Sequence, residues 1–333
     1  MGKYFLRSIV FIIAIAFLSS WGFLVHRAIN QLAIYELPKP MQAFFYTNRK
    51  YLVNNAPRPD QRRNQDSTEA PKHFIDIEVY GDSAAWKMPL KWDDAVKKYG
   101  KDTLIKYGYV PYYIIMMKNK LTNAFRSGNK DSVLFYATDL GHYIGDANVP
   151  LHASLNYDGQ LTNQKGLHSL WESMIPELEL DQYTLDDHHK AEYLSEPELA
   201  VWQAVRHAYE LTKDVFEQEK EASKGFTDAT KFRVQIRNGR EIRSFTPEFA
   251  KAYSQRLGKT INEQLLRSAD LIADFWYTAW VDAGKPDLAK LLSKPFEKSD
   301  RKAMKKEFKA YRRGELIEKK LLIAKQITNN SGQ

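Results

Sequence analysis

Two histidine–carboxylate pairs of the same spacing stand close together in the middle of the chain. His142 and Asp146 are four residues apart, and so are His168 and Glu172. On a helix, residues four apart project from the same face, so each pair can present an imidazole and a carboxylate to one point. Neutral imidazoles and carboxylates suit zinc in a hydrolytic site, and the 333-residue chain has no cysteine to supply thiolate ligands.

Three further histidines extend this pattern. His152 follows the first pair at the predicted end of its helix, and His26 lies near the start of the chain, while His73 follows a polar stretch that carries Asp60. A single His-x3-Asp pair is more often a surface ion pair, and a lone buried histidine is more often a hydrogen-bonded core residue. The joint occurrence of these pairs within residues 142–172 instead predicts a metal centre. The spacing of four argues against the di-iron bundles, which use Glu-x-x-His.

The chain that must position these residues reads mainly as helix. Apolar residues recur at helical spacing over residues 134–144, 199–216 and 265–280. The first of these helices should end before Pro150, because proline cannot continue a helix. No series of alternating strands joined by hairpin turns is evident in the sequence. The pattern therefore predicts an all-α fold.

Two polar segments are predicted to be loops on this helical scaffold. Residues 55–72 contain three prolines, and residues 156–165 are mostly polar. Loops longer than ~12–15 residues are commonly functional, so the first segment, which carries Asp60, is a candidate binding loop. With no internal repeat and no linker, we expect a single multi-helix domain over residues 21–297 and a basic helical tail over residues 298–333.

The start of the chain is typical of a secretory signal peptide over residues 1–20. A basic start precedes an apolar stretch that is shorter than the ~20 residues of a membrane span, and two serines follow it. An uncleaved membrane anchor is the alternative. Cleavage after Ser20 would leave Trp21 at the N-terminus of the mature protein, which would be secreted or periplasmic.

The formal net charge of +8 is spread unevenly along the chain. Residues 285–333 hold 14 Lys and Arg against 6 Asp and Glu, whereas residues 21–284 are slightly acidic. The body therefore offers no broad cationic surface for nucleic acid. In the tail, basic residues alternate with apolar ones, which predicts an amphipathic helix. Its apolar stripe either packs on the body or contacts an anionic surface.

Two motifs in the middle of the chain resemble those of a known enzyme family. GHYIGDANVPLH at 141–152, followed by GLHSLWE at 166–172, resembles the core of the trinuclear zinc phosphodiesterases. That superfamily joins bacterial zinc phospholipase C to the fungal and plant single-strand-specific nucleases. WGFLVH at 21–26 and HFID at 73–76 are similar to its other motifs. The resemblance implies the family's all-α fold, three zinc ions per chain and hydrolysis of phosphate esters.

The resemblance also implies a role for each candidate ligand. The free α-amine and the carbonyl oxygen of Trp21 would bind the third zinc with His26, and Asp146 would bridge this zinc to the first. An α-amine has a reference pKa of ~7.7–8.0, so a metal can displace its proton once cleavage has exposed it. The remaining implied ligands are Asp60, His73 and His142 for the first zinc, and His152, His168 and Glu172 for the second.

Four further roles follow from the same resemblance. Asp60 and Arg63 are the implied catalytic residues: Asp60 would orient or deprotonate the attacking water, and Arg63 would hold a phosphate oxygen. The alternative for Arg63 is that the arginines of this segment only solvate it. Phe74 and Asp76 of the HFID motif are the implied substrate-binding residues, and Phe74 could stack on a base or line a choline pocket.

The substrate class stays open at this point. The Trp-x4-His spacing and Arg63 resemble the nucleases, whereas Glu172 resembles the phospholipases, so both nucleic acid and phospholipid are candidate substrates. A zinc-holding or surface-binding protein without turnover is the alternative from another class, which Asp60 and the complete set of ligands disfavour. We expect a monomer.

Overall fold

The structure, a computed structural model, describes residues 23–237 and 240–331. Residues 1–22, with the predicted signal peptide and Trp21, lie outside the described residues, and both assignments stay predictions. The described chain is mostly helical, with one two-stranded antiparallel sheet. The predicted all-α fold is therefore confirmed. The described helices are all too short or too polar to span a lipid bilayer.

The helices follow one another closely along the chain. In chain order they are α1 (Phe23–Glu36), α2 (Lys39–Thr47), α3 (Arg49–Asn55), α4 (Arg58–Arg62), α5 (Ala84–Lys87), α6 (Trp92–Tyr99), α7 (Lys101–Lys106), α8 (Val110–Ser127), α9 (Lys130–Ala147), α10 (Leu167–Ser169), α11 (Ile175–Glu179), α12 (Pro197–Ser223), α13 (Asp228–Lys231), α14 (Pro247–Leu257), α15 (Thr260–Asp282), α16 (Lys298–Tyr311) and α17 (Ile323–Ser331). The strands are β1 (Phe232–Arg237) and β2 (Arg240–Phe245). Short 3-10 turns lie at Ala70–Lys72, Ile77–Tyr80, Pro150–Ala153, Leu180–Gln182 and Leu288–Leu291, and Leu170–Met174 forms a π-helical turn.

The three helices predicted from apolar periodicity are confirmed as α9, α12 and α15. Helix α9 ends at Ala147, before Pro150, as expected. The core lies mainly between α1, α8, α9 and α15. There the fully buried Trp276 donates its indole N–H to the carbonyl oxygen of Ala137 at 2.9 Å. A second apolar cluster includes Leu167 and Leu170, and so holds the segment that carries His168.

Two glycines of α9 allow α1 to lie unusually close. A Cβ atom on Gly141 would lie 2.4 Å from Asn30 Oδ1, and one on Gly145 would lie 2.7 Å from Ile29 Cδ1 and 3.0 Å from His26 Nδ1. The structure shows that side chains of α1 fill the space, and that the missing Cβ of Gly145 makes room for a candidate ligand.

The segment 55–72 is not the continuous loop that its prolines predicted. Residues Arg58–Arg62 form helix α4, in which Pro59 occupies the first turn, where its missing N–H costs nothing. Residues Ala70–Lys72 form a 3-10 turn. The prolines thus begin short helical elements instead of excluding them. Asp60 therefore stands on a helix.

The sequence analysis also missed the hairpin formed by β1 and β2. Its register pairs Phe232 with Phe245 at one end and Arg237 with Arg240 at the other. A signal for it exists, since apolar and basic residues alternate on both sides of Asn238-Gly239, a dipeptide typical of tight hairpin turns. Residues 238–239 themselves lie outside the described part of the chain.

Helix α16 packs against the body of the protein. Met304, Phe308 and Tyr311 are buried in the main hydrophobic cluster, and buried Glu307 accepts a hydrogen bond from Tyr35 OH at 2.9 Å. Of the two alternatives for the tail, the structure shows the packed apolar stripe. These apolar side chains do not face a lipid surface, and an anionic contact through the exposed basic residues stays a prediction.

Candidate metal centre

The fold brings together every candidate ligand that lies within the described residues. They are His26 on α1, Asp60 on α4, His73 after the turn Ala70–Lys72, His142 and Asp146 on α9, His152 on the turn Pro150–Ala153, His168 on α10 and Glu172 on the π-helical turn. Their ligand atoms form three groups, each within 4.8 Å, of which the first two share His142: His26, His142 and Asp146; Asp60, His73 and His142; His152, His168 and Glu172. Trp21 lies outside the described residues. Segments between His26 and Glu172, separated by up to 146 residues, thus converge on one point.

The first group joins Asp60, His73 and His142. His142 Nε2 lies 3.2 Å from His73 Nδ1 and 3.7 Å from Asp60 Oδ1. His73 Nδ1 lies 3.6 Å from the same Asp60 oxygen. Both histidines are almost fully buried, whereas the Asp60 side chain keeps 26% of its surface exposed. Asp60 is therefore the member of this group that solvent and a substrate can reach.

Asp146 lies between the groups. Its Oδ2 atom is 2.9 Å from His73 Nδ1 and 3.4 Å from His142 Nε2. Its other oxygen, Oδ1, is 3.5 Å from His26 Nε2 and 3.9 Å from His152 Nδ1. Because its two oxygens face different sets of imidazoles, this carboxylate has the position that a bridge between two metal ions requires.

The second group joins His152, His168 and Glu172. Glu172 Oε2 lies 2.6 Å from His168 Nε2 and 3.4 Å from His152 Nε2, and the two imidazole nitrogens are 3.0 Å apart. The other Glu172 oxygen, Oε1, lies 3.3 Å from His26 Nε2. The second group is thus in direct contact with the candidate ligand from α1.

Backbone carbonyl oxygens determine which ring nitrogen of His142 and of His152 directs its lone pair at the centre. A carbonyl oxygen can only accept a hydrogen bond, so His142 Nδ1 donates to Ala56 at 2.9 Å and His152 Nδ1 donates to His73 at 2.6 Å. In the neutral rings both Nε2 atoms then carry lone pairs that face other imidazoles and carboxylates. This is the orientation that metal-binding histidines adopt. The donor set of imidazole nitrogens and carboxylate oxygens fits zinc.

The electrostatics of the centre favour a cation. Burial, reinforced by His26, lowers the pKa of His142 to about 3, so this ring is neutral, as a metal ligand must be. Burial opposes the ionisation of Asp146, yet His142 and His152 hold its pKa well below the usual range. Burial also opposes charge on His152, but Asp146 and Glu172 raise its pKa to about 9. The buried carboxylates therefore favour positive charge at this point, which a bound metal ion would supply.

A buried carboxylate stands behind His73. Glu69 is 1% exposed and accepts hydrogen bonds from Arg62 Nη2 at 3.1 Å, from Lys72 Nζ at 2.7 Å and from Tyr143 OH. Its Oε1 atom lies 3.6 Å from His73 Nε2. The sequence analysis missed this residue, although its spacing of four from His73 repeats that of the other histidine–carboxylate pairs.

A second missed residue, Asp139, holds helix α4 against α9. This fully buried carboxylate pairs with Arg58 at 2.6 Å and with Arg62 Nη1 at 2.8 Å. The idea that the arginines of this segment only solvate it is therefore wrong for these two. Through them the helix that carries Asp60 is fastened to the helix that carries His142. Asp139 precedes His142 by three residues, which was the available signal.

An open cavity of about 780 Å³ leads to the centre. Its lining includes Asp60, Arg63, His152, His168 and Glu172. Arg63 Nη1 lies 3.5 Å from Asp60 Oδ1, and the Arg63 side chain is 43% exposed. A guanidinium in this place can hold a phosphate oxygen through two donors while the carboxylate faces the attacking water.

Phe74 and Asp76 are not among the described residues that line this cavity. Asp76 is buried, and burial together with Glu78 raises its pKa to about 6. Phe74 packs beside Gly108, where a Cβ would lie 2.2 Å from the Phe74 carbonyl oxygen. The substrate-binding roles of Phe74 and Asp76 stay predictions.

Comparison with known proteins agrees with this site. A protein-family model described as S1/P1 Nuclease matches residues 21–275, a range that includes every candidate ligand. A comparison with curated proteins found no match. S1/P1 nucleases use zinc and are typically secreted. The chain belongs to the S1/P1 nuclease family, within the superfamily that its motifs resemble, and it is a zinc-dependent phosphodiesterase.

Proposed function

We propose that the protein is an exported phosphodiesterase that hydrolyses single-stranded nucleic acid. The position of Arg63 carries this proposal. Its guanidinium lines the cavity, is 43% exposed and lies 3.5 Å from Asp60 Oδ1. Planar bidentate pairing with phosphate is the recognition that arginine performs best. The Trp-x4-His spacing, which resembles that of the nucleases, supports the same substrate.

The proposed ligands divide into three sets, of which the first and the third share Asp146. Asp60, His73, His142 and Asp146 would hold the first zinc; His152, His168 and Glu172 would hold the second; Trp21, His26 and Asp146 would hold the third. The group of Asp60, His73 and His142 and the group of His152, His168 and Glu172 support the first two sets, and the proximity of His26 to Asp146 supports the third. When bound, the zinc ions lower the pKa of a bound water and neutralise the phosphoryl oxygens.

The protein's own residues then orient the reaction. Asp60 accepts a hydrogen bond from the attacking water and directs its oxygen toward phosphorus, since it is the partly exposed carboxylate of its group. Arg63 holds a nonbridging oxygen of the phosphate from the cavity wall. A bond forms between the water oxygen and phosphorus as a water proton passes to Asp60, and the bond from phosphorus to the leaving oxygen breaks. The leaving oxygen takes up a proton from solvent in the open cavity, and Asp60 returns its proton to solvent.

A second candidate function is phospholipase C-type hydrolysis. Glu172 resembles the phospholipases at a position where the nucleases usually have aspartate. The loop before His168 also exposes Leu155, Tyr157 and Leu161, the last with 66% of its surface accessible. Exposed apolar residues beside an active-site cavity suit a lipid interface. A protein that holds zinc without turnover is disfavoured, because the open cavity reaches Asp60.

The test offers the zinc-loaded mature protein single-stranded DNA, RNA and phosphatidylcholine vesicles side by side. We expect cleavage of the nucleic acids and no release of phosphocholine. Arg63→Gln should lower kcat/KM on nucleic acid about 100-fold, as the loss of a donor to a phosphoryl oxygen does elsewhere, and Arg63→Lys should retain part of the activity. Arg256→Gln, at an exposed position on α14, is the matched control. Release of phosphocholine without nucleic-acid cleavage would favour the phospholipase, and no turnover of any substrate would favour the non-catalytic alternative.

A further inference from the structure

The hairpin β1–β2 projects from the body beside the active-site cavity. Exposure rises from the base of the hairpin, where Phe245 of β2 is 4% exposed, to 57% at Val234 and 78% at Ile236 of β1. Six residue pairs at ~3.3 Å per residue give the hairpin a length of roughly 17 Å. The outer part of these two strands contributes little to the core, so packing does not account for its exposed side chains.

The base of the hairpin is tied to the cavity wall. A Cβ atom on Gly166, which lines the cavity, would lie 3.2 Å from Phe245 Cε2, so this ring packs against the start of the segment that carries His168. Buried Glu219 accepts hydrogen bonds at 2.5 Å from both Lys231 Nζ and Gln164 Nε2. The hairpin, the loop before His168 and α12 therefore form one connected framework.

The hairpin is the basic part of an otherwise acidic body. In sequence it carries Arg233, Arg237, Arg240 and Arg243 against Glu241 alone. Residues 21–284 as a whole are slightly acidic, so this positive charge is concentrated at one projection next to the cavity. Charge of this kind complements a polyanion whose reacting phosphate lies in the cavity.

Two cross-strand pairs favour a nucleic-acid strand over a lipid surface. Ile236 is directly opposite Glu241, and Val234 is directly opposite Arg243, so each exposed apolar residue shares its face with a charged one. Insertion of this face into an anionic membrane would bring the carboxylate of Glu241 to the anionic head groups and desolvate it. Arginines interleaved with small apolar patches instead suit a flexible strand, whose phosphates and sugars alternate.

We propose that the hairpin is a second binding site for the substrate strand: a single-stranded nucleic acid whose scissile phosphate lies in the cavity crosses the hairpin, and Arg243 on one face and Arg233 on the other each bind a backbone phosphate. This inference rests on the proposed nuclease function and extends it to substrate length. Two contacts fix the position of the Arg243 guanidinium, which lies 3.6 Å from the ring centre of Phe232 and 3.0 Å from Asp228. Arg233 is held by the hydrogen bond from its Nε to Ser244 Oγ at 3.1 Å.

The test compares a long single-stranded oligothymidylate with a dinucleotide that has one phosphodiester, using zinc-loaded enzyme at several salt concentrations. In Arg233→Gln/Arg243→Gln, kcat/KM for the long strand should fall about tenfold at low salt. Its logarithmic salt slope should weaken by about 1.4, since each phosphate contact to a single strand contributes about 0.7. The dinucleotide does not reach the hairpin, and its turnover should stay at the wild-type rate.

Three further variants make the outcome decisive. In a shortened hairpin, Asn-Gly replaces residues 234–243, and Arg243 is removed with them. This variant should show the same selective loss of kcat/KM on the long strand. Arg233→Lys/Arg243→Lys should keep the salt slope. Lys97→Gln/Lys101→Gln removes the same charge at exposed positions that do not line the cavity, and it should change neither substrate's turnover.

Two results would overturn the inference while leaving the nuclease proposal intact. One is wild-type cleavage of the long strand, with an unchanged salt slope, by both the double Gln variant and the shortened hairpin. The other is a pair of observations: the wild type binds anionic phospholipid vesicles, and the shortened hairpin loses this binding but still cleaves the long strand at the wild-type rate. Failure of the wild-type enzyme to cleave either nucleotide substrate would instead contradict the proposed function itself.

Discussion

The carboxylate of Glu69 lies directly behind the imidazole of His73, with Glu69 Oε1 3.6 Å from His73 Nε2, while the opposite ring nitrogen, Nδ1, lies 2.9 Å from Asp146 Oδ2. A carboxylate behind the ring favours the tautomer that is protonated at Nε2, which leaves the Nδ1 lone pair free for a metal. Because Arg62 and Lys72 also bind Glu69, its position is fixed independently of His73.

We expect Glu69→Gln to weaken zinc binding without unfolding the protein. Glutamine keeps the shape of the side chain but removes the charge that orients His73, and such changes typically cost 10–100-fold in metal affinity. Competition with a chromogenic zinc chelator measures this, and Glu210→Gln, at an exposed position on α12, is the control. Zinc affinity equal to that of the wild type would show that Glu69 serves only the ion pairs with Arg62 and Lys72.

Loss of Asp146 should remove more metal than loss of any other single ligand. Its two oxygens face different groups of imidazoles, so Asp146→Ala should lose two zinc ions per chain, whereas His168→Ala should lose one. Elemental analysis of the dialysed proteins, normalised to protein concentration, gives the two ratios. Equal losses in the two variants would rule out a bridging role for Asp146.

The N-terminus of the mature chain should control the third zinc. Trp21 lies outside the described residues, but His26 Nε2 is 3.5 Å from Asp146 Oδ1, so a metal bound there would have two ligands in place and need more. A tagged protein in which an amide replaces the Trp21 α-amine should bind this zinc far more weakly and lose activity by orders of magnitude. Proteolytic exposure of Trp21 should restore both, and Trp21→Phe with a free amine should have little effect. Equal zinc content and rates before and after proteolysis would contradict the role of Trp21.

Glu307 should be essential for attaching α16 to the body. It is 5% exposed, accepts hydrogen bonds from Tyr35 OH at 2.9 Å and Tyr46 OH at 3.1 Å, and lies 3.3 Å from Arg49 Nε. Glu307→Ala leaves the partly buried Arg49 guanidinium and two hydroxyls without their partner, which should lower the free energy of unfolding by about 3 kcal/mol. Urea denaturation measures this against Glu318→Ala, an exposed control. A loss no larger than that of the control would mean that the apolar residues of α16 suffice.

The stability contributed by Asp270 should fall as the pH rises. Burial and the neighbouring Asp187 raise the pKa of Asp270 to about 7, against ~3.9 in an unfolded chain. The folded state thus holds a proton that the unfolded state releases, so stability is lost between pH ~4 and ~7. Asp270→Asn, which stays neutral, should raise the free energy of unfolding on the order of 2 kcal/mol at pH 8 and hardly at all at pH 4. An equal effect at both pH values would contradict the raised pKa.

The sequence by itself determined the candidate ligands, their pairing along the chain and the main helices. These properties are local: a spacing of four places two side chains on one helix face whatever the rest of the chain does, and the periodicity that predicted α9, α12 and α15 is read within single segments. The resemblance of the two central motifs to the zinc phosphodiesterases is likewise carried by short stretches, and the match to the S1/P1 nuclease family confirms it.

Only the tertiary structure decided which charged residues are buried and what they bind. In the sequence, Arg58 and Arg62 are two cations in a polar segment; they pair with Asp139 only because α4 packs on α9. Glu69 lies behind His73 only because the fold also brings Tyr143 to it. The same holds for the tail, whose amphipathic pattern fits a lipid surface as well as it fits the body. Burial and ion pairing depend on contacts between segments far apart in the chain, and desolvation acts only after those contacts form, so no local pattern encodes them.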